Sequence, residues 1–364
     1  MKASEFVYQI RVLRVDLTRG EIRQEIWKEP EQTRDYVGGV GIGAKILWDE
    51  LPKGTKSLDP ENRLVFATGP LTGTGAPGSG FCCVTTIGPL GESFTSAQSQ
   101  GYFGAYLRFA GFDVVVVSGA SPRWNYLYIR NGKAALRNAA EFMGLDTWET
   151  DQAFKERVAE RPERCSIACI GPAGENLVKF SGIFNDEGHL SATNGPGCVM
   201  GSKKLKAIFV EYDTKNIPFY DWEAFKKDRR EWVWDCNENT GPGQGTRWTG
   251  TLGSVAGMSK SGLLPVKNYL SLQFPEVERF DAQTMRPDPT YSFKLTPCYG
   301  SVSYTHLDVY KRQLYSDVLR LSGRYSVSLL CDTFGISWSG YYWIPTSSCR
   351  TQCNSKYVQS WEPS

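Results

Sequence analysis

Between residues 64 and 113 the chain reads LVFATGPLTGTGAPGSGFCCVTTIGPLGESFTSAQSQGYFGAYLRFAGFD, and few architectures accommodate such a stretch. An apolar run over 64–67 enters a loop crowded with Gly69, Gly73, Gly75, Pro77, Gly78 and Gly80. A second β-rich run follows over 81–87, then a polar turn and a helix-like run over 102–109. Glycines at this density open positive φ and remove Cβ, so backbone N–H groups can come close to a ligand. An anion or a phosphate-bearing cofactor is the natural guest; turns at the corners of a twisted sheet are the alternative.

The 364 residues carry 41 Lys and Arg against 39 Asp and Glu, a net charge of +2. That balance offers no field for a polyanion, so nucleic acid is not expected as a partner. Length alone suggests about two or three domains. The first 25 residues alternate apolar and polar and break at Thr18, Arg19 and Gly20, which reads as a hairpin rather than a signal peptide. No run reaches the length of a membrane span, and the cytoplasm is the expected location. Ten cysteines in a chain of this length do not make a disulfide scaffold, and most are expected to be small core residues. With only His189 and His306, a His-rich zinc site is not expected.

Residues 6–25 read as two strands and 35–51 as a glycine turn feeding an amphipathic helix. Gly39, Gly41 and Ala44 imitate a dinucleotide fingerprint, but no buried parallel strand precedes them and no acidic residue is placed to follow. Further strands are expected at 64–68, 81–87, 113–118, 124–130, 165–170 and 206–212, with a helix near 146–160. The pattern turns helical from Trp222.

Four motifs in order, GPLTGTGAP, GYFGAYLRFAGFD, IGPAGENLVKF and GCVMGSKKLKAI, resemble the amino-terminal domain of the aldehyde ferredoxin oxidoreductase family, and the resemblance covers roughly residues 13–300. It implies an α+β chain: a mainly β, two-sheet amino-terminal domain over 1–212, forming a base under a pterin, followed by the start of a helical domain over 213–300. The implied cofactors are a tungsten, occasionally molybdenum, bis-pterin and a 4Fe–4S cluster. The implied reaction is two-electron oxidation of a small-molecule aldehyde to a carboxylic acid, or a related conversion, with electrons leaving through the cluster to ferredoxin or another electron-transfer protein. A homodimer is compatible with it, and no nucleic acid or membrane partner is implied.

The residues that would meet the pterin depart from the family's usual ones. In ATNGPGCVMGSKK, Thr193 and Asn194 stand where the family has Arg and Gly, ahead of Gly195, Gly197 and Gly201. Glycines there would open the backbone while Thr193 and Asn194 supply side-chain hydrogen bonds. Phe81 replaces an Arg, and Gln98, Ser99 and Gln100 replace Asn-Ser-Gly. A Phe cannot supply the fixed positive charge of that Arg. Lys203, Lys204 and Lys206 could neutralise a phosphate or line a solvated strand edge, and Glu175 reads as a turn residue.

Cys298 stands where the family's C-x-x-C-x-x-x-C cluster motif begins, but Ser301 occupies the second position and the third is lost. Three thiolates, and usually a fourth, hold such a cluster, so it is expected to be lost from this chain. Residues 301–313, SVSYTHLDVYKRQ, have no periodicity suited to strand or helix. They back-translate into a string that is its own reverse complement, and are read as an artefact of sequence assembly. Within 314–364, LLCDTFGISWSG resembles the family's Asp-x-x-Gly-Leu-Asp pterin contact: Asp332 and Gly335 match, Ile336 is a conservative change and Ser337 replaces the final Asp. The tail beyond reads as out of frame. The parent reads as an oxidoreductase and this chain as an inactive fragment; the alternative is a non-catalytic, β-rich pterin-binding or assembly subunit.

Overall fold

The computed structural model describes residues 8–238, 249–267, 269–289, 291–295, 298–301 and 307–311. They fall into two compact units, Met1–Asn239 with Pro297–Val302, and Thr240–Thr296 with Ser303–Ser364.

The first unit holds two six-stranded mixed sheets. Strands β1 (Ile10–Asp16), β2 (Glu21–Trp27), β3 (Leu64–Ala67), β4 (Cys82–Gly88), β5 (Ser93–Ser99) and β6 (Val114–Ser118) form the first, in the order β2-β1-β6-β3-β4-β5. The second contains β7 (Asn125–Arg130), β8 (Lys133–Asn138), β9 (Cys165–Cys169), β10 (Ile183–Asn185), β11 (His189–Ser191) and β12 (Leu205–Glu211), in the order β11-β10-β9-β12-β7-β8. One parallel joint lies in each, β1 with β6 and β7 with β12; the other pairings are antiparallel. The α+β, two-sheet expectation is met.

Burial explains why these segments are strands. Val115 and Val117 of β6 enter a core shared with Leu127, Ile129, Ile208 and Val210 of the second sheet. Val114 and Val116 point the other way, onto Ile42, Ile46 and Leu47 of helix α2 (Val40–Glu50), which follows the single turn α1 (Pro30–Thr33). A strand covered on both faces reads as a continuous apolar run, which is why VVVV is uninterrupted. Between the sheets lie helices α3 (Phe103–Phe109) and, after α4 (Thr147–Arg157) and α5 (Pro172–Glu175), α6 (Pro196–Ser202), which send Phe103, Leu107, Val199 and Met200 into the shared core. Beyond the second sheet, Phe154 of α4 and Phe142 pack on Tyr126 at 4.9 and 5.8 Å between ring centroids. The layers therefore run α2, sheet, inner helices, sheet, α4. Asp146 starts α4 with a reciprocal capping box to Glu149.

β5 was expected to be a polar turn. Its sequence SFTSAQS lacks a run of large apolar residues, yet it buries Thr95, Ala97 and Ser99 in alternation and pairs with β4 along its whole length. A sheet edge with one open face tolerates that polarity. Helix α7 (Trp222–Glu238) completes the first unit.

In the second unit Val255, Leu264, Val266 and Val277 form a small core. Strand β13 (Tyr291–Leu295) pairs antiparallel with β14 (Leu307–Lys311), Phe293 opposite Val309. The expectation that 301–313 has no strand order is corrected for 307–311: pairing with β13 supplies the backbone hydrogen bonds that make a strand of a run with no alternation of its own. Among the described residues no helix is long and apolar enough to cross a membrane.

Candidate cofactor-binding site

The β4–β5 hairpin organises the residues singled out above. At its open end lie Phe81, just before β4, and Gln98 opposite Cys83; Gln100 follows β5. Phe81 is 40% exposed, and its carbonyl accepts from Thr72 Oγ1 at 3.3 Å. Gln100 Oε1 accepts from Cys298 Sγ at 3.3 Å. Burial pushes the Cys298 thiol up, with Ser301 pulling the other way.

The ATNGPG loop sits at the other end of the hairpin. Asn194, at φ 60°, accepts at Oδ1 from the amides of Leu90 and Gly91, both at 3.0 Å, so it pins the β4–β5 turn. Thr193 accepts at its carbonyl from Thr95 Oγ1 at 3.1 Å and leaves its side chain exposed. Gly195 caps α6 at φ 74°, and a Cβ there would lie 1.8 Å from the Lys179 carbonyl oxygen. At Gly197 a Cβ would meet the Gly182 oxygen at 2.3 Å. These glycines admit the chain's own backbone. Asp332, Gly335, Ile336 and Ser337 lie outside the described residues.

The glycine-rich loop after β3 is organised by a residue that the sequence did not announce. Arg108, on α3, donates from Nη1 to the carbonyls of Gly69, Pro70 and Thr72 at 3.3, 2.8 and 2.7 Å. Its Nε reaches Asp113 Oδ1 at 2.8 Å, with both side chains at most 3% exposed. Loop amides also turn inward: Gly73 donates to Ser79 O and Ser79 to Ala76 O. The loop's carbonyls thus face a cation. A buried Arg at a helix end preceding Asp by five positions, as in GYFGAYLRFAGFD, was the available signal.

Two of the three basic residues after α6, Lys203 and Lys206, are likewise turned inward. Lys203 is fully buried and donates to Pro60 O and Gly119 O; burial pulls its ammonium down to about 7. Lys206 pairs with Glu175 Oε1 at 2.5 Å, and Lys204 donates to Pro122 O. Lys203 and Lys206 serve the interior, Lys204 stays exposed, and Glu175 is the partner of a buried lysine.

Asn185 and Asp186 of the second sheet grip the corner after β5. Asn185 accepts from Ser99 Oγ at 2.8 Å and donates to Gln100 O at 2.5 Å. Asp186 accepts from the amides of Tyr102 and Phe103 and from Ser166 Oγ. Burial nevertheless pushes its carboxyl up from 3.8 to about 6; Ser166 and Tyr102 pull it down, and Asp151 and Lys155 act in opposite senses. A folded-state value above the unfolded one means that the native chain holds this proton more tightly. Its contribution is present below about pH 4 and is lost as pH rises to about 6, roughly 2–3 kcal/mol. In Asp186→Asn that falling segment is expected to vanish from a plot of denaturant midpoint against pH; superimposable profiles for the two chains would exclude Asp186 as its source.

The model of the aldehyde ferredoxin oxidoreductase N-terminal domain matches residues 12–212. The chain belongs to the aldehyde ferredoxin oxidoreductase family. Over 290 residues it is 38% identical to the tungsten-containing aldehyde ferredoxin oxidoreductase of Pyrococcus furiosus, covering 80% of this chain and 47% of that relative. The Thermococcus kodakarensis enzyme of the same name gives the same identity and coverage. Among solved structures, the active site complex BamBC of benzoyl coenzyme A reductase in complex with 1,5 dienoyl-CoA matches with a TM-score of 0.68 at 28% identity, over 82% of this chain and 47% of that one. The chain spans about half the length of these relatives.

The open face of β5 presents Phe94, 46% exposed, then Ser96 and Gln98 at alternate positions. An aromatic platform beside a hydroxyl and an amide suits the flat face and hydrogen-bonding edge of a pterin, with Phe81 at the strand's end. Thr193 meets Thr95, which belongs to the covered face of β5, and so stands apart from this set. This set is uncharged, so it fits the heterocycle and offers no cation to a phosphate. Among the described residues no three or more His, Cys, Asp or Glu side chains gather to hold a metal ion. Of the seven described cysteines, all are free and six are buried.

Proposed function

We propose that this chain is the pterin-cradling, amino-terminal part of a tungsten bis-pterin oxidoreductase whose whole protein oxidises aldehydes to carboxylic acids and passes the electrons to ferredoxin. The open face of β5, in a member of a family with tungsten-containing relatives, carries the reading. Phe94 and Phe81 would pack against the pterin, and Gln98 and Ser96 would bond its edge. When bound, the metal–pterin group supplies the two-electron chemistry. The chain's residues orient it, and Arg108 holds the neighbouring loop in one conformation. A cytoplasmic setting, which keeps thiols reduced, suits the buried free cysteines.

For this chain itself a second reading, pterin binding without electron export, is favoured by the Cys298 thiol being directed at Gln100 with Ser301 in the second thiolate position. We expect it to bind no 4Fe–4S cluster and to lack aldehyde oxidation. Expression with tungstate, followed by acid oxidation of the purified chain and fluorescence assay of released pterin, tests the cradle. Gln98→Leu with Ser96→Ala is expected to cut pterin content about tenfold, as two lost polar contacts of roughly 0.5–1.5 kcal/mol each would do. Unchanged pterin content in the double variant would refute the cradle. Iron and sulfide analysis after anaerobic reconstitution decides the cluster, where near-stoichiometric iron would refute the second reading.

A further inference from the structure

We propose that residues 298–300 form a latch that holds the glycine-rich loop closed, with Gln100 as the positioning residue that receives the Cys298 thiol. The proposal rests on the reading that Cys298 is not a cluster ligand in this chain. The segment lies 198 residues from Gln100 in sequence, yet it is fastened on both sides. Tyr299 N donates to Gly101 O, and Gly78 N donates to Gly300 O, each at 3.0 Å. Ser301 N closes the turn onto Cys298 O at 3.1 Å.

The seat is cut to this backbone. A Cβ on Gly80 would lie 2.8 Å from Tyr299 O and 2.7 Å from Gly101 O. Gly300 has φ +68°, and a Cβ there would lie 2.3 Å from Ser79 Oγ and 2.6 Å from Ala76 O. Only glycine at both positions lets two chain segments approach so closely. The Tyr299 ring then packs edge-on against Phe109 at 5.6 Å and Tyr102 at 6.4 Å, with the Lys215 ammonium 5.6 Å from its centroid. Cys298 is 6% exposed and donates to the Gln100 amide oxygen at 3.3 Å. Residues 76–80 are thereby held against the Gly101 corner, next to Phe81 and Gln98.

The test labels the full native chain with iodoacetamide and follows each cysteine by peptide mass spectrometry, with half-exposed Cys236 as the internal standard. Cys298 is expected to label at least about tenfold more slowly than Cys236, since buried thiols react through opening. In Gly300→Val its rate should rise to within roughly threefold of Cys236. Gly54→Val, also at positive φ (+87°) but with open space around it, should leave Cys298 slow. Hydrogen exchange on the unaltered chain supplies a reading that no variant has to survive: the Gly78 and Tyr299 amides should be protected. Fast labelling or fast exchange in the unaltered chain, or slow labelling in a folded Gly300→Val, overturns the latch. Labelling repeated after anaerobic addition of iron and sulfide separates the two readings. Protection that appears only with iron overturns both, whereas reactivity with and without iron overturns the latch and leaves the absence of a cluster standing.

Discussion

Arg108→Met is expected to lower the unfolding free energy of the first unit by about 3–5 kcal/mol, the cost of leaving a buried charge without its partner. The guanidinium pairs with Asp113 at 2.8 Å and meets three loop carbonyls. Asp113 would keep its bonds from Arg11, to the amide at 2.8 Å and to Nε at 3.3 Å, which places the expected loss nearer the lower bound. Arg108→Lys should recover less than half, because an ammonium cannot serve a carboxylate and a row of carbonyls from one planar fork. A shift in urea midpoint at constant slope is the measurement. A loss below about 1 kcal/mol would mean that solvent reaches the pair and that the loop holds its shape without it.

Gly195→Ala is the second large effect, and it separates two uses of glycine. If the ATNGPG glycines serve a ligand, the alanine variant folds normally and only cofactor content suffers. The structure predicts the opposite order. The new methyl would lie 1.8 Å from the Lys179 oxygen at a residue with φ +74°, so overpacking and backbone strain add to about 3 kcal/mol or more. The cofactor-free chain should lose that stability, as measured by thermal unfolding. Gly201→Ala, with its Cβ 2.0 Å from Gly174 O, should behave alike, and Gly188→Ala, with nothing within 4 Å, should pay only for its φ. Equal melting temperatures for the Gly195 and Gly188 variants would return Gly195 to the ligand.

The strands legible in the sequence are those buried on both faces, such as 114–118 and 205–211, whose runs of Val, Ile and Phe have few other readings. β5 was hidden because an open edge lets Ser, Thr and Gln occupy a strand. The glycines were recognised as sites of close approach, but what approaches them is backbone, and a sequence does not say which segment will arrive. The same limit concealed the buried roles of Lys203, Lys206 and Arg108, since partners such as Pro60, Glu175 and Thr72 are fixed by topology. Phe81, Gln98 and Gln100 were found through the family pattern and do converge on one end of the hairpin. Thr193 and Asn194 lie at the other end, and a linear motif carries no such distance.

The parallel joint between β1 and β6 sets a timetable during synthesis. Arg11 and Asp113, at that joint, are 102 residues apart. β1 can pair at once with β2, but its other edge has no partner until β6 has been made. At 5–20 residues per second that interval is about 5–20 s, during which the nascent hairpin offers unpaired amides and carbonyls to any neighbouring strand. Val12, Leu13 and Val15, fully covered in the finished sheet, are uncovered for the same period. Slowing translation across residues 30–110 should therefore lower soluble yield more than the same delay placed after residue 212.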